Sequence, residues 1–165
     1  MERTICFMNG KGSIGHNTRS FIADNVDASR TKNNITLIHE DIKQVYHKLF
    51  DKALDEYNAK QKRKDRQIKS YYEKISRSKQ EKLFYEVIVQ IGNKDDTGVG
   101  SSAAEVATGV LKDYVKMFQL RNPQLYVIGA YIHLDEETPH LHLNFVPWVS
   151  GCKRGLETKT SLKAA

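Results

Sequence analysis

Three of the chain's six histidines fall within ten residues, in the run His133-Leu-Asp-Glu-Glu-Thr-Pro-His140-Leu-His142. Apolar residues 126–132 precede it and 140–146 follow, with turn-forming Asp-Glu-Glu-Thr-Pro between them, which predicts two strands joined by a short loop. Alternation along a strand turns His140 and His142 to one face and Leu141 and Leu143 to an apolar layer on the other. The loop allows His133, at the end of the first strand, to join that pair. Three imidazoles beside Asp135, Glu136 and Glu137 supply the donor set of a divalent metal site. A lone strand histidine is more often a hydrogen-bonded surface or core residue, so the third histidine and the intervening acids are what favour a metal. Structural zinc sites usually use cysteine, and neither Cys6 nor Cys152 lies in this stretch, so an open site is the better reading.

The elements that must position these residues are legible along the chain. Residues 4–8 (Thr-Ile-Cys-Phe-Met) read as a strand, followed by a glycine-rich loop, Asn9-Gly-Lys-Gly-Ser-Ile-Gly15, that delivers His16-Asn-Thr-Arg19. The loop lacks the Gly-Lys-Ser/Thr ending of a phosphate-binding P-loop. An arginine beside a histidine on such an accessible loop suits a phosphate, because Arg can pair two phosphate oxygens at once. Residues 25–34 form a polar loop carrying Arg30 and Asn34, residue types that contact phosphates and base edges.

A helix is predicted from about His39, with Ile42, Val45, Tyr46, Leu49, Ala53 and Leu54 at helical spacing. Lys60, Lys62, Arg63, Lys64, Arg66 and Lys69 then read either as a solvated helix face or as a basic helical arm along a phosphate backbone. Neither Gly nor Pro occurs between His16 and Ile91, which permits long helices in the N-terminal half. Residues 82–91 predict a central strand, with Glu86 and Gln90 sharing one face, placed on the metal side if the strand is not at the edge. After an acidic loop at 92–100, Ser101 or Ser102 caps an amphipathic helix that ends at Asn122-Pro123. Lys153 and Arg154 lie in a basic loop at 150–159, and residues 160–165 read as the first turns of another helix. The layer solution for this order is an α+β fold, an antiparallel sheet with helices packed on one face and the other face free for a site.

The bulk numbers agree. A chain of 165 residues is one domain with a single core. Its 26 Lys and Arg against 20 Asp and Glu give a net charge of +6, which favours a polyanionic partner. Two distant cysteines provide no disulfide framework, and no signal peptide or membrane span is visible, so a cytoplasmic placement is expected.

Taken together, His133-Leu-Asp-Glu136-Glu-Thr-Pro-His140-Leu-His142 resembles the metal-binding signature of MobV-type plasmid mobilisation relaxases, the Pre/Mob plasmid recombination enzymes. His16-Asn-Thr-Arg19 resembles their first motif. These relaxases are HUH endonucleases, named for two histidines flanking an apolar residue, here His140-Leu141-His142. The resemblance implies an antiparallel sheet flanked by helices. It also implies nicking of one DNA strand at a transfer origin, presented as a single strand or hairpin, with covalent attachment to the 5′ phosphate.

It further implies His133, His140, His142 and Glu136 as ligands of a divalent ion, manganese ahead of magnesium or zinc, with Asp135 orienting a ligand histidine. Carried over, His16 is the nucleophile, Arg19 positions the phosphate, and Arg30 and Asn34 contact DNA, together with the basic residues at 60–66, Lys153 and Arg154. Tyr46, on the apolar stripe, is the rival nucleophile. The chain is expected to be a monomeric N-terminal fragment, a single catalytic domain over 1–165. Two other readings stand beside this one. A histidine-triad nucleotide hydrolase would need a third histidine where Asn144 stands, and a metal-stabilised DNA-binding module without catalysis would not need His16.

Overall fold

In the computed structural model, which describes residues 3–165, six strands are β1 (Ile5–Asn9), β2 (Ile35–His39), β3 (Tyr85–Ile91), β4 (Leu125–His133), β5 (His140–Val149) and β6 (Lys159–Thr160). They form one antiparallel sheet in the order β1-β3-β5-β4-β2, with β6 added to the end of β5. The helices are α1 (Ile14–Asn17), α2 (Ile42–Ala59), α3 (Tyr71–Ser76), α4 (Lys94–Thr97) and α5 (Ser102–Arg121). The α+β antiparallel fold read from the sequence is the fold observed. Among the described residues no helix is long and apolar enough to cross a membrane.

Helices cover both faces of the sheet, not one as expected. Ala107, Leu111, Val115 and Phe118 of α5 pack on Val89, Ala130, Ile132, Leu141, Leu143 and Phe145. On the opposite face α2 and α3 bury Val45, Tyr46, Phe50, Leu54, Tyr71 and Ile75 against Ile128 and Val146. Alternation sends Val127 to the α5 side and Ile128 to the α2 side, and a register shift between Val127 and Gly129 switches its phase, so that Ala130 and Ile132 beyond it also face α5. Fully burying each such Leu, Ile or Phe contributes roughly 1.5–3 kcal/mol. Only the other end of that second face remains for a site.

Three local expectations are corrected. A strand, β2, precedes the helix read from His39; Ile35 and Ile38 pack on the α5-side core as β2 pairs with β4. The basic run is not a helical arm. α2 closes at Ala59, and residues 60–70 form a loop with one 3-10 turn at Lys64–Arg66, pinned by Asn58, whose side chain bonds both the N–H and the C=O of Ile68. Between Tyr57 and Ile68 no large apolar side chain is available to bury, and a short helix without a packed face is marginal. Only α2 and α5 are therefore long. At the C-terminal end, residues 159–160 pair with β5 instead of starting a helix, because Thr160 donates its hydroxyl to Pro147 O and its N–H to Tyr71 Oη.

Candidate functional site

On the uncovered end of the face, β5 presents His140 and His142, β4 presents His133 opposite His140, and β3 presents Glu86, Ile88 and Gln90. Ring centroids lie 4.5 Å apart for His133 and His142, 5.0 Å for His140 and His142, and 5.4 Å for His133 and His140. All three are buried. Each is fixed through one ring nitrogen by an acceptor of the protein. His133 Nε2 lies 3.0 Å from Asn17 O, His140 Nδ1 2.8 Å from Thr138 O, and His142 Nδ1 2.9 Å from Glu86 Oε1.

Carbonyl and carboxylate oxygens only accept, so these nitrogens carry the protons and the opposite nitrogens keep free lone pairs. Those of His133 Nδ1 and His142 Nε2 are buried without a protein partner, an arrangement that costs stability unless something binds there. The same pinning fixes ring orientation in metal-ligating histidines. Burial holds the His133 pKa down at about 3 and lowers that of His140, so both rings are neutral at pH 7, the form that ligates.

Glu136, in the β4–β5 turn, completes the donor set. Its Oε1 lies 3.7 Å from His140 Nε2, 4.0 Å from His133 Nδ1 and 3.9 Å from His16 Nε2. Two overlapping groups have the spacing to hold an ion: His133, Glu136 and His140, and His16, His133 and His142. The residues present thus fit a divalent cation, and their imidazole and carboxylate chemistry suits manganese or zinc better than calcium.

His16 stands on α1, started by Ser13, whose hydroxyl accepts from the His16 N–H. Its ring centroid is 5.3 Å from that of His142 and 5.6 Å from that of His133. Arg19, held at φ 57°, donates Nε and Nη2 to the two carboxylate oxygens of Asp135 at 2.9 and 2.6 Å, and Nη2 also to Glu136 at 2.8 Å. Its Nη1 is 3.2 and 3.3 Å from the two ring nitrogens of His16 and can donate to whichever of them carries the lone pair. Burial, then the Arg19 charge and His142, lower the His16 pKa.

Asp135 does not orient a histidine. Its fully buried carboxylate accepts from Arg19, Asn34 and Thr31, which outweigh desolvation and hold its pKa well below the usual range. Asn34 is spent on this knot, bonding Asp135 and the Leu134 N–H, and Arg30 pairs with Asp27. Lys60, Lys62, Arg63, Lys64 and Arg66 are exposed beyond the end of α2, and Lys153 and Arg154 are exposed between β5 and β6. No hydrogen bond or ion pair among the described residues links either group to the histidines.

Residues that sequence reading missed are Asn17, Thr31 and Asn25, the last bonding Glu136 Oε2. No spacing signal marks them. Glu86 was placed on the correct face by strand alternation alone. Tyr46 is buried in the α2 cluster, donates to Leu83 O, and has its pKa pushed up by burial, which makes it a poor nucleophile. An open groove of about 550 Å³ runs along the site, lined among others by Met8, His16, Ile88, Gln90, Glu136 and His140.

Fold and site together define an α+β protein organised around a histidine–carboxylate cluster that could hold a metal ion, with a fourth histidine at its edge. The sequence makes the assignment particular: residues 11–161 match the model of the plasmid recombination enzymes, Mob_Pre, and the chain belongs to that family. Similar solved structures include the MobM relaxase domain (MOBV; Mob_Pre), Mn-bound and in complex with plasmid pMV158 oriT DNA of 22 nucleotides at pH 5.5. It has TM-score 0.57 and 23% identity over 99% of this chain and 76% of that one. The same domain with 22 nucleotides and a 3′-thiophosphate at pH 6.8 has TM-score 0.53 and 23% identity over the same shares of the two chains. At this identity the likeness establishes the fold. No curated protein matches the sequence.

Proposed function

We propose that this chain is a relaxase domain that nicks one DNA strand at a transfer origin, by metal-assisted transesterification, and remains attached to the 5′ phosphate through His16. The observation that carries this reading is the set of three imidazoles, each held by one nitrogen with the other left free, beside a fourth ring that no protein acceptor pins. Membership of the plasmid recombination enzymes and the oriT DNA bound by the similar MobM domain support it. The net charge of +6 suits a DNA partner.

His133, His140 and His142, with Glu136, would hold the divalent ion, manganese first because the MobM structures are Mn-bound, with magnesium or zinc as alternatives. Bound there, it would polarise the scissile phosphate and offset the charge that develops on it. His16, neutral because burial and Arg19 lower its pKa, offers a lone pair to phosphorus. A nitrogen–phosphorus bond forms as the phosphorus–O3′ bond breaks. The other ring nitrogen gives up its proton, and the departing 3′ oxygen gains one. Arg19, anchored by Asp135 and Glu136, keeps a positive guanidinium against His16, where it would help position a phosphate brought to that ring.

The test is incubation with Mn2+ and single-stranded transfer-origin DNA, read on a denaturing gel. The wild-type chain is expected to give a covalent adduct, abolished by chelator and by His16→Ala or His140→Ala. Metal and DNA binding without any adduct would make the chain a non-catalytic DNA-binding module.

A further inference from the structure

Between Gly10 and Ser20 a single residue, Asn17, is buried, at 3% exposure, and it is polar. Its burial is explained by bonds and not by apolar packing. The main-chain oxygen of Asn17 takes the Nε2 proton of His133 at 3.0 Å, and its Nδ2 donates to Glu86 Oε1 at 2.7 Å. That same Glu86 oxygen accepts from His142 Nδ1 at 2.9 Å, while Glu86 Oε2 accepts the Gly12 N–H at 2.8 Å and the Glu86 carbonyl accepts the Gly10 N–H at 3.0 Å. Gly10 permits this approach: a Cβ there would lie 2.0 Å from Glu86 Oε2. The segment that carries His16 is thus moored at Gly10, Gly12 and Asn17 to Glu86 and His133, the residues that present two of the three ligand nitrogens. α1 itself has only four residues and no stability of its own.

We propose that Asn17 locks the nucleophile segment to the metal centre, so that metal binding and ordering of residues 10–19 reinforce one another. This rests on the reading of the histidines as ligands and of His16 as nucleophile. Asn17 is a positioning residue in this scheme. It acts by position: its side chain holds Glu86, its main-chain oxygen holds His133, and His16 precedes it directly in the chain. Coupling of this kind is reciprocal: whatever an ordered segment adds to metal affinity, the metal returns as order in the segment.

Hydrogen–deuterium exchange of the peptide covering residues 10–19, with and without Mn2+, together with calorimetric Mn2+ titration, tests this. Mn2+ is expected to slow exchange across the segment in the wild type. The slowing should survive in His16→Ala, which excludes direct ligation by His16 as its cause. Asn17→Ala removes the side-chain bond to Glu86 and keeps the main-chain oxygen that holds His133; in it the slowing should diminish, and Mn2+ affinity should fall by about 10-fold or more, the usual scale for partners of metal-bound histidines, with the circular dichroism of the folded protein retained. Wild-type affinity in Asn17→Ala, no slowing in the wild type, or loss of the slowing in His16→Ala would each overturn the proposal. If Asn17→Ala does not fold, the wild-type and His16→Ala exchange data decide. These readouts need no DNA, so a failure of nicking with the metal-induced order intact would sink the relaxase reading and leave the coupling standing.

Discussion

One face of the sheet is built in two different ways along the same pair of strands. At one end Ile128 and Val146 meet Tyr46, Phe50 and Tyr71, an apolar cluster with its hydroxyls satisfied. At the other end His133 Nδ1 and His142 Nε2 are buried with no hydrogen-bond partner among the described residues. The first end is finished by folding, and the second keeps buried lone pairs that a bound ion would satisfy. Identical backbone alternation yields a core or a site according to which side chains fill the inward positions.

The contrast can be broken most severely at the apolar end. Phe50 is fully buried, so Phe50→Ala is expected to cost about 3–5 kcal/mol, read by urea denaturation. At the other end, His142→Ala should lower the stability of the metal-free protein by less than Phe50→Ala does, and should remove the stabilisation by Mn2+. For the wild type that gain is about 2.7 kcal/mol at a free concentration 100 times Kd, read as a rise in thermal midpoint. A metal-induced rise retained in His142→Ala would break the assignment of this end as the metal centre.

The two ends also fail at opposite extremes of pH. Burial depresses the His133 pKa from 6.5 to about 3, so below pH 6.5 the unfolded state takes up a proton that the folded state refuses. Its contribution is present in full above pH 6.5 and is lost as pH falls towards 3. Burial raises the Tyr71 pKa from 10.0 to about 12, so its contribution is complete below pH 10 and fades as pH rises to 12. Unfolding followed across pH should show an acid limb that His133→Leu weakens and an alkaline limb that Tyr71→Phe weakens. Exchange of these effects between the two variants would contradict the account.

The smallest effect concerns the exposed basic residues. Lys62→Ala and Lys64→Ala should each reduce the slope of log DNA affinity against log salt by about 1 if the loop follows the phosphate backbone. Unchanged slopes would return the loop to a solvated surface.

How much of this was legible in the sequence follows from the range of the interactions. The convergence of His133, His140 and His142 was legible because strand alternation and one short loop decide which side chains meet, and both are local. Glu86 was legible only as to its face. The knot of Arg19, Asp135, Asn34 and Thr31 was not legible, since its members lie about 100 residues apart and no periodicity links Asp135 to its partners. The strand β2 was hidden by a polar loop on one side and a strong helix signal on the other. The basic run misled because charge spacing describes a helix face only where an opposite apolar face exists to be buried.

The central claim is that the nucleophile is the unpinned histidine at the polar end and not a tyrosine of the apolar end. Mass-spectrometric mapping of the peptide left joined to transfer-origin DNA after proteolysis tests it most directly. The account predicts the DNA on His16, with wild-type yield retained in Tyr46→Phe. Attachment to Tyr46, or to any other tyrosine, would contradict it.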